Sequence, residues 1–363
     1  MALPAEDEQY MRRVLVLARR GLGKVSPNPM VGAVLVRAGK VVAEGYHRRF
    51  GGDHAEVDAI KHASGPVRAA TLYVNLEPCC HWAKTPPCVD AVIQHGIERV
   101  VAATIDPNPV VNGKGIEILR QHGVEVDVGV LQQEARKLNE VYFKYVATGL
   151  PFVTLKYAQS LDGRIATSRG DAQWISSEKS RQFAHRLRAV HDGIMVGIGT
   201  VVADDPQLTV RLAKGKNPFR VILDSKLHIP LDAQVLTKGG KTIIATTEAC
   251  DKTRIGEIEK KGNEVLLTQR DKDGRIHLRT LLQTLARRGV ASILVEGGKE
   301  VITSFLRDRL VDRMVIITAP LILGQGIEAI GTLGITSVEQ AVRPTSLDVK
   351  RLDCDRVFDL RLK

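Results

Sequence analysis

Long apolar runs are missing from this 363-residue sequence; nothing approaches the roughly 20 consecutive apolar residues of a membrane-spanning helix. Aromatic residues are scarce as well, at 4%. They do not interleave with basic residues in the way single-strand nucleic-acid surfaces require. Cysteines number five, an odd count that suits no disulfide framework. The opening stretch Met1–Glu8 is acidic and lacks the basic-then-apolar layout of a signal peptide. A cytoplasmic protein is therefore expected. No G-x-G-x-x-G fingerprint opens a strand–helix unit, which argues against a Rossmann domain. Gly21-Leu22-Gly23-Lys24 is not a phosphate loop, because the long spacing and the Ser/Thr after Lys are absent.

What is present is the balance of a globular protein, 44% hydrophobic and 26% charged, at a length that suits two domains. The formal charge of +11 is uneven: residues 1–147 carry +2 and the remainder +9. A basic second half that binds phosphorylated small molecules accounts for this without a nucleic-acid partner. The best boundary is Thr148-Gly149-Leu150-Pro151, where Gly and Pro punctuate the chain after a helical pattern. This predicts domains over 1–147 and 150–363.

Within the first part, periodicity predicts a helix over Glu8–Arg20 and a hairpin of Val31–Arg37 and Lys40–Gly45. Helices over Ala55–Ala63, Cys88–His95 and Ile116–Gln121 alternate with strands over Ala70–Leu76, Arg99–Thr104 and Glu125–Val128. A single helix over Gln132–Tyr145 closes the series. The second part alternates likewise, from a strand over Phe152–Tyr157 and a helix over Glu178–Val190 to a strand over Arg313–Thr318. Its segment Leu231–Gln269 has no clear pattern beyond a strand over Thr242–Thr246. Both halves are α/β, the first with helices on both faces of a sheet.

Three of the cysteines, Cys79, Cys80 and Cys88, fall within ten residues, and His54-Ala55-Glu56 lies upstream. A catalytic zinc needs about three protein ligands and one open position for water. One imidazole and two thiolates meet that need. Glu56, two residues from His54 at a helix start, can exchange a proton with that water without being a ligand. Zinc deaminases carry this arrangement as H-x-E…P-C-x-x-C. Here Cys79 and Cys88 are nine positions apart, so the loop must fold back to bring Cys88 beside Cys79. By spacing alone, Cys80 and His81 remain competing ligands. A closed structural zinc site would recruit one of them and leave Glu56 without a task.

The stretch Glu77-Pro78-Cys79 through Thr85-Pro86-Pro87-Cys88 resembles the deaminase domain of the bifunctional riboflavin-biosynthesis deaminase/reductases. Ser26-Pro27-Asn28-Pro29 and Asp106-Pro107-Asn108-Pro109 are similar to that family too. In the second half, Gln159–Ala166, Gln173-Trp174-Ile175-Ser176, Asp204-Asp205-Pro206, Leu223-Asp224-Ser225 and Val295-Glu296-Gly297-Gly298-Lys299 resemble its reductase domain, in the same order. The resemblance implies a cytidine-deaminase-like α/β/α sandwich followed by a dihydrofolate-reductase-like α/β domain. It also implies two reactions. The first deaminates 2,5-diamino-6-ribosylamino-4(3H)-pyrimidinone 5′-phosphate at zinc. The second reduces the ribosyl group of the product to ribityl with NADPH.

By the same resemblance, His54, Cys79 and Cys88 are the zinc ligands and Glu56 the proton shuttle. Asn28, His81, Lys84 and Asn108 contact the first substrate, although Asn-Pro turn chemistry suits both asparagines equally. Ala158, Trp174, Thr200, Asp204, Ser225, Gly297 and Gly298 line the cofactor site. Arg188, Leu208, Arg211 and Glu296 meet the second substrate, the arginines as forked phosphate clamps. Three positions depart from the family pattern: Cys80 and Ala172 stand where serine is usual, and Lys84 where arginine is usual. The expected partner is a small phosphorylated pyrimidine, with a homo-oligomer as the assembly and no membrane or nucleic acid involved.

Overall fold

A computed structural model describes residues 5–82 and 84–362; Met1–Pro4, the start of the acidic opening stretch, lies outside them together with Ala83 and Lys363. The chain divides into two compact units, Met1–Gly149 and Leu150–Lys363.

In the first unit the elements run α1 (Ala5–Ala18), β1 (Gly32–Arg37), β2 (Lys40–Tyr46), α2 (Ala55–Lys61), β3 (Thr71–Val74), α3 (Cys88–Gln94), β4 (Arg99–Ala102), α4 (Lys114–Gln121), β5 (Glu125–Val128), α5 (Gln132–Leu138) and α6 (Glu140–Thr148). The strands form one sheet in the order β2-β1-β3-β4-β5. Strand β1 is antiparallel to both neighbours, while β3, β4 and β5 are parallel. Alternation along each strand feeds two cores. Leu35, Leu72, Val74, Val100 and Ala102 pack beneath α2, α3 and α4 through Ala59, Val92 and Leu119. Val34, Val36, Tyr73 and Val101 pack beneath α1 and α5 through Met11, Val14 and Ala135. Burial on both faces explains why these strands read as continuous apolar runs.

The closing helix expected over Gln132–Tyr145 is two helices instead, divided at Asn139. The Asn139 side chain is buried: its Oδ1 accepts from the Met30 backbone N–H at 2.8 Å and its Nδ2 donates to the Met30 carbonyl at 2.9 Å. Pairing with a distant loop fixes this residue outside helical geometry.

The second unit runs β6 (Phe152–Gln159), β7 (Arg164–Thr167), α7 (Glu178–Val190), β8 (Gly193–Gly197), α8 (Ile198–Asp204), β9 (Phe219–Leu223), α9 (Gln234–Thr237), β10 (Thr242–Thr246), α10 (Thr253–Lys260), β11 (Glu264–Leu267), α11 (Leu278–Arg287), β12 (Ser292–Val295), α12 (Lys299–Arg307), β13 (Arg313–Thr318), β14 (Gly326–Glu328), β15 (Ser346–Leu352) and β16 (Asp355–Arg361). Its nine-stranded sheet has the order β11-β10-β9-β8-β12-β6-β13-β16-β15. It is parallel from β11 to β13, and the β16–β15 hairpin adds an antiparallel edge. Helices α11 and α12 cover one face through Leu281, Leu285, Ile302 and Phe305. On the other face lie the cores built on Ile194, Ile222 and Ile244 and on Leu187, Leu294 and Val315. The unclear segment Leu231–Gln269 resolves into α9, β10, α10 and β11.

Helix α2, which carries Glu56, lies against β2 at Gly45, where a Cβ would come within 2.3 Å of the Ala59 nitrogen and 2.4 Å of the Ala55 carbonyl. A Gly45→Ala variant must push α2 off the sheet, at a cost of about 1–3 kcal/mol. Gly256, exposed within α10 with nothing near its missing Cβ, is the contrasting site. Gly256→Ala is expected to stabilise by up to about 1 kcal/mol. Urea denaturation of both variants checks the pair, and equal stabilities would contradict the close approach at Gly45.

Candidate active sites

In the first unit, three side chains converge from three separate segments. His54 immediately precedes α2, Cys79 lies in the loop after β3, and Cys88 is the first residue of α3. The long loop folds back: the Val89 N–H donates to the Cys79 carbonyl at 3.2 Å, and the Cys88 N–H to the Cys79 Sγ at 3.4 Å. His54 Nδ1 then sits 3.2 Å from Cys88 Sγ and 3.4 Å from Cys79 Sγ. One donor atom from each lies within 4.8 Å of the others. One nitrogen and two sulfurs converging in this way form a donor set suited to zinc with a position left open.

The neighbours prepare these donors. His54 Nε2 faces the Thr85 hydroxyl at 3.4 Å, a partner that leaves Nδ1 free to point at the sulfurs. A hydrogen bond from Cys88, with His54 beside it, draws the Cys79 thiol down to about 4 against the effect of burial. Glu56 is 3% exposed, and burial raises its carboxyl above the ordinary range despite the nearby His54. A carboxyl made more basic by burial therefore stands beside the cluster.

Cys80 turns away, its Sγ 3.9 Å from the Val110 carbonyl, and is not part of the convergent group. His81 is half-buried with Nδ1 lacking any partner. Lys84 is exposed, its ammonium 3.9 Å above the Phe50 ring. Asn28 donates its amide toward His47 Nε2 at 3.2 Å, and the His47 ring meets that of His54 edge-on with centroids 5.3 Å apart. Asn108 Oδ1 accepts from the Val110 N–H at 3.1 Å, a turn contact.

Sequence reasoning missed His47 and Thr85, and it missed the work of Glu77. That carboxylate is buried and accepts from the N–H groups of Asp106, Gly113, Gly115 and Ile116 at 2.9–3.3 Å. Glu77 thereby joins the start of the cysteine loop to the Asp106–Asn108 loop and to the N-terminus of α4.

In the second unit a cavity of about 570 Å³ includes Ala158, Trp174, Arg188, Asp204, Leu208, Arg211 and Glu296 in its wall. Ala172, one of the departures from the family pattern, is in the wall too. Thr200, Ser225, Gly297 and Gly298 are not among the cavity residues. They lie just beyond the carboxyl ends of strands. Thr200 follows β8, Ser225 follows β9, and the two glycines follow β12 at the start of α12. A Cβ on Gly298 would lie 3.8 Å from the Thr200 hydroxyl, so these two positions face each other. The carboxyl edge of an open parallel sheet is where such folds bind their ligands. Bare backbone at a helix N-terminus suits a phosphate.

The fork of Arg188 is already engaged. Nε and Nη2 donate to the two Glu296 oxygens at 2.8 and 2.9 Å, and Nη1 donates to the Thr209 carbonyl at 3.1 Å. The fork expected to clamp phosphate thus faces the buried Glu296 carboxylate and the Thr209 carbonyl. Lys156 adds a second cation 3.6 Å from Glu296. Burial alone would raise the Glu296 carboxyl, yet Arg188 and Lys156 hold it down at about 2. Arg211 Nη1 donates to the Gln207 and Thr209 side chains. Arg181 stacks over Trp174 at 4.6 Å. Sequence reasoning did not single out Lys156, Arg181 or His185, all of which line the cavity.

Residues 4–104 match the family model described as the cytidine and deoxycytidylate deaminase zinc-binding region, and residues 151–358 match the RibD C-terminal domain. A riboflavin biosynthesis protein RibD from Aquifex aeolicus is 45% identical, covering 97% of each chain. A solved diaminohydroxyphosphoribosylaminopyrimidine deaminase/5-amino-6-(5-phosphoribosylamino)uracil reductase from Thermotoga maritima is 39% identical, covering 98% of each chain with a TM-score of 0.85. Acinetobacter baumannii RibD is 37% identical over 98% of each chain, with a TM-score of 0.89.

Glu296 offers a direct test. Its folded pKa lies below its ordinary value, so its contribution to stability is full above about pH 4.5 and fades as pH falls toward 2. Glu296→Gln leaves the Arg188 guanidinium without its counter-charge, which for a buried pair costs about 3–5 kcal/mol. Thermal melts at pH 7 and pH 3 are expected to show a large deficit at pH 7 that narrows at pH 3. A deficit of equal size at both would contradict the ion pair as the cause.

Proposed function

The chain belongs to the RibD family, and from that membership we propose how its residues divide the work of two reactions. It is a bifunctional deaminase/reductase of riboflavin biosynthesis, with a zinc-binding deaminase region and an NADPH-dependent reductase region. The first substrate is 2,5-diamino-6-ribosylamino-4(3H)-pyrimidinone 5′-phosphate, and its deaminated product is the substrate of the second site. The observation that carries the reading is the convergence of His54, Cys79 and Cys88 beside a buried Glu56.

His54, Cys79 and Cys88 would hold the zinc ion. When bound, it supplies a water whose pKa falls to about 7. Glu56 would be the base that accepts a proton from the attacking water as the ring carbon bearing the amine is hydrated. It returns a proton to the amine, which leaves as ammonia. Burial keeps Glu56 basic enough for the first transfer and its proton available for the second. Asn28, His81, Lys84 and Asn108 border the path to this site.

In the second unit, NADPH when bound supplies the hydride that converts ribosyl to ribityl. Gly297, Gly298, Thr200 and Ser225 are positions for the cofactor, while Ala158, Trp174 and Asp204 belong where cofactor and substrate meet. Leu208 and Arg211 hold the substrate. Arg188 and Glu296 fix one another, and Lys156 presents an ammonium to the cavity. No helix among the described residues is long and apolar enough to cross a membrane. The protein acts on small phosphorylated pyrimidines in the cytoplasm, without nucleic acid. The exposed edge strand β15, with Leu347 and Val349 in solvent, favours a homo-oligomer.

The test is incubation of zinc-loaded protein with the diaminopyrimidinone ribosyl phosphate, with and without NADPH, followed by mass spectrometry. Exchange of the amine for oxygen without NADPH, then gain of two hydrogens with it, is the expected course. No turnover with zinc confirmed bound would overturn the reading. Glu56→Gln is expected to keep zinc, to deaminate about 10²- to 10⁴-fold more slowly, and to reduce the deaminated substrate at the unaltered rate.

A further inference from the structure

His185, on α7, is 6% exposed and lines the reductase cavity. Its Nδ1 accepts the backbone N–H of Arg211 at 2.9 Å and that of Leu212 at 3.4 Å. An Nδ1 that accepts carries no proton, so the ring is neutral and its hydrogen is on Nε2. The charged groups around it favour the same state. Burial, with Arg188, Arg211 and Lys156, outweighs Glu296 and lowers the imidazole to about 4. One ring edge thus holds the backbone of the loop that carries Leu208 and Arg211, and the other offers a single N–H.

Leu208 anchors that loop in the core, and Arg220 donates to the Gln207 carbonyl just before it. The Val210 N–H donates to Asn217 Oδ1 at 2.8 Å, and the Thr209 carbonyl accepts from Arg188. With the Arg188 fork committed to Glu296, the cavity needs other donors for an anion. Arg211 is a cation of the cavity wall in the chain segment that His185 supports. A neutral N–H beside it adds a donor without adding charge that would need its own counter-ion.

We propose that His185 is a positioning and specificity residue for the phosphate end of the substrate: Nδ1 fixes the Arg211 loop while Nε2–H donates to a phosphate oxygen. The inference rests on the reductase assignment of this cavity. Wild-type turnover of 5-amino-6-(5-phosphoribosylamino)uracil with NADPH tests that assignment first, and loss of turnover there is distinct from any effect of His185.

The second measurement compares the full-length wild type with His185→Phe and His185→Gln. Each is assayed on the phosphorylated substrate and on the same compound lacking its phosphate. Phe removes both the acceptor and the donor; Gln can supply both through its amide. His185→Phe is expected to raise the KM for the phosphorylated substrate about 10- to 100-fold. Its kcat/KM for the dephosphorylated compound and its KM for NADPH are expected to stay near wild type, and Gln is expected to restore most of the loss. Equal losses on both substrates, or a wild-type KM in a folded His185→Phe protein, would overturn the proposal. If that variant does not fold, nitrogen-15 NMR of the wild type decides. The Nε2–H tautomer, with a resonance that shifts on adding the phosphorylated substrate, supports the role. An Nδ1–H tautomer or an unmoved resonance refutes it.

Discussion

A carboxylate buried at a loop must be met by donors, and both sites of this protein are built around that requirement. Glu77 meets it with four backbone N–H groups. The loop bearing Cys79, the Asp106–Asn108 turn and the start of α4 are consequently fixed to a single point. Glu296 meets the same requirement with Arg188 and Lys156. Neither carboxylate performs chemistry in the scheme above, yet the reacting groups inherit their positions from them. Loops at the carboxyl ends of strands lack ladder hydrogen bonds, and polar side chains of this kind replace them.

Much of the fold was legible because the central strands of both sheets are buried on both faces. Runs such as Arg99–Ala102 and Ser292–Val295 stand out by apolar content and by their bounding turns. Several of the elements that escaped notice have a weaker apolar signature. Strand β15 is exposed almost throughout, and β7 and β14 form a short two-stranded ribbon. The break at Asn139 was hidden for a different reason, since its cause is a hydrogen-bond partner more than a hundred residues away.

The sites divide in the same way. His54, Glu56, Cys79 and Cys88 could be named from residue type and spacing, because zinc chemistry narrows the choice of ligands sharply. Thr85 and His47 could not, since their importance lies in which ring nitrogen or amide they face. Lys156 and His185 look like ordinary members of a strand and a helix until burial and the cavity are known. Arg188 carries the opposite lesson. Its residue type suggested a phosphate clamp, and its geometry adds an internal tie to Glu296 that the sequence does not show.

Every hydrophobic cluster of the described chain lies wholly within one unit, and the division falls at Gly149, whose φ of 63° ends α6. Neither unit borrows core residues from the other. What the continuous polypeptide secures is stoichiometry: each round of translation delivers one deaminase and one reductase, so neither enzyme can be made in excess of the other.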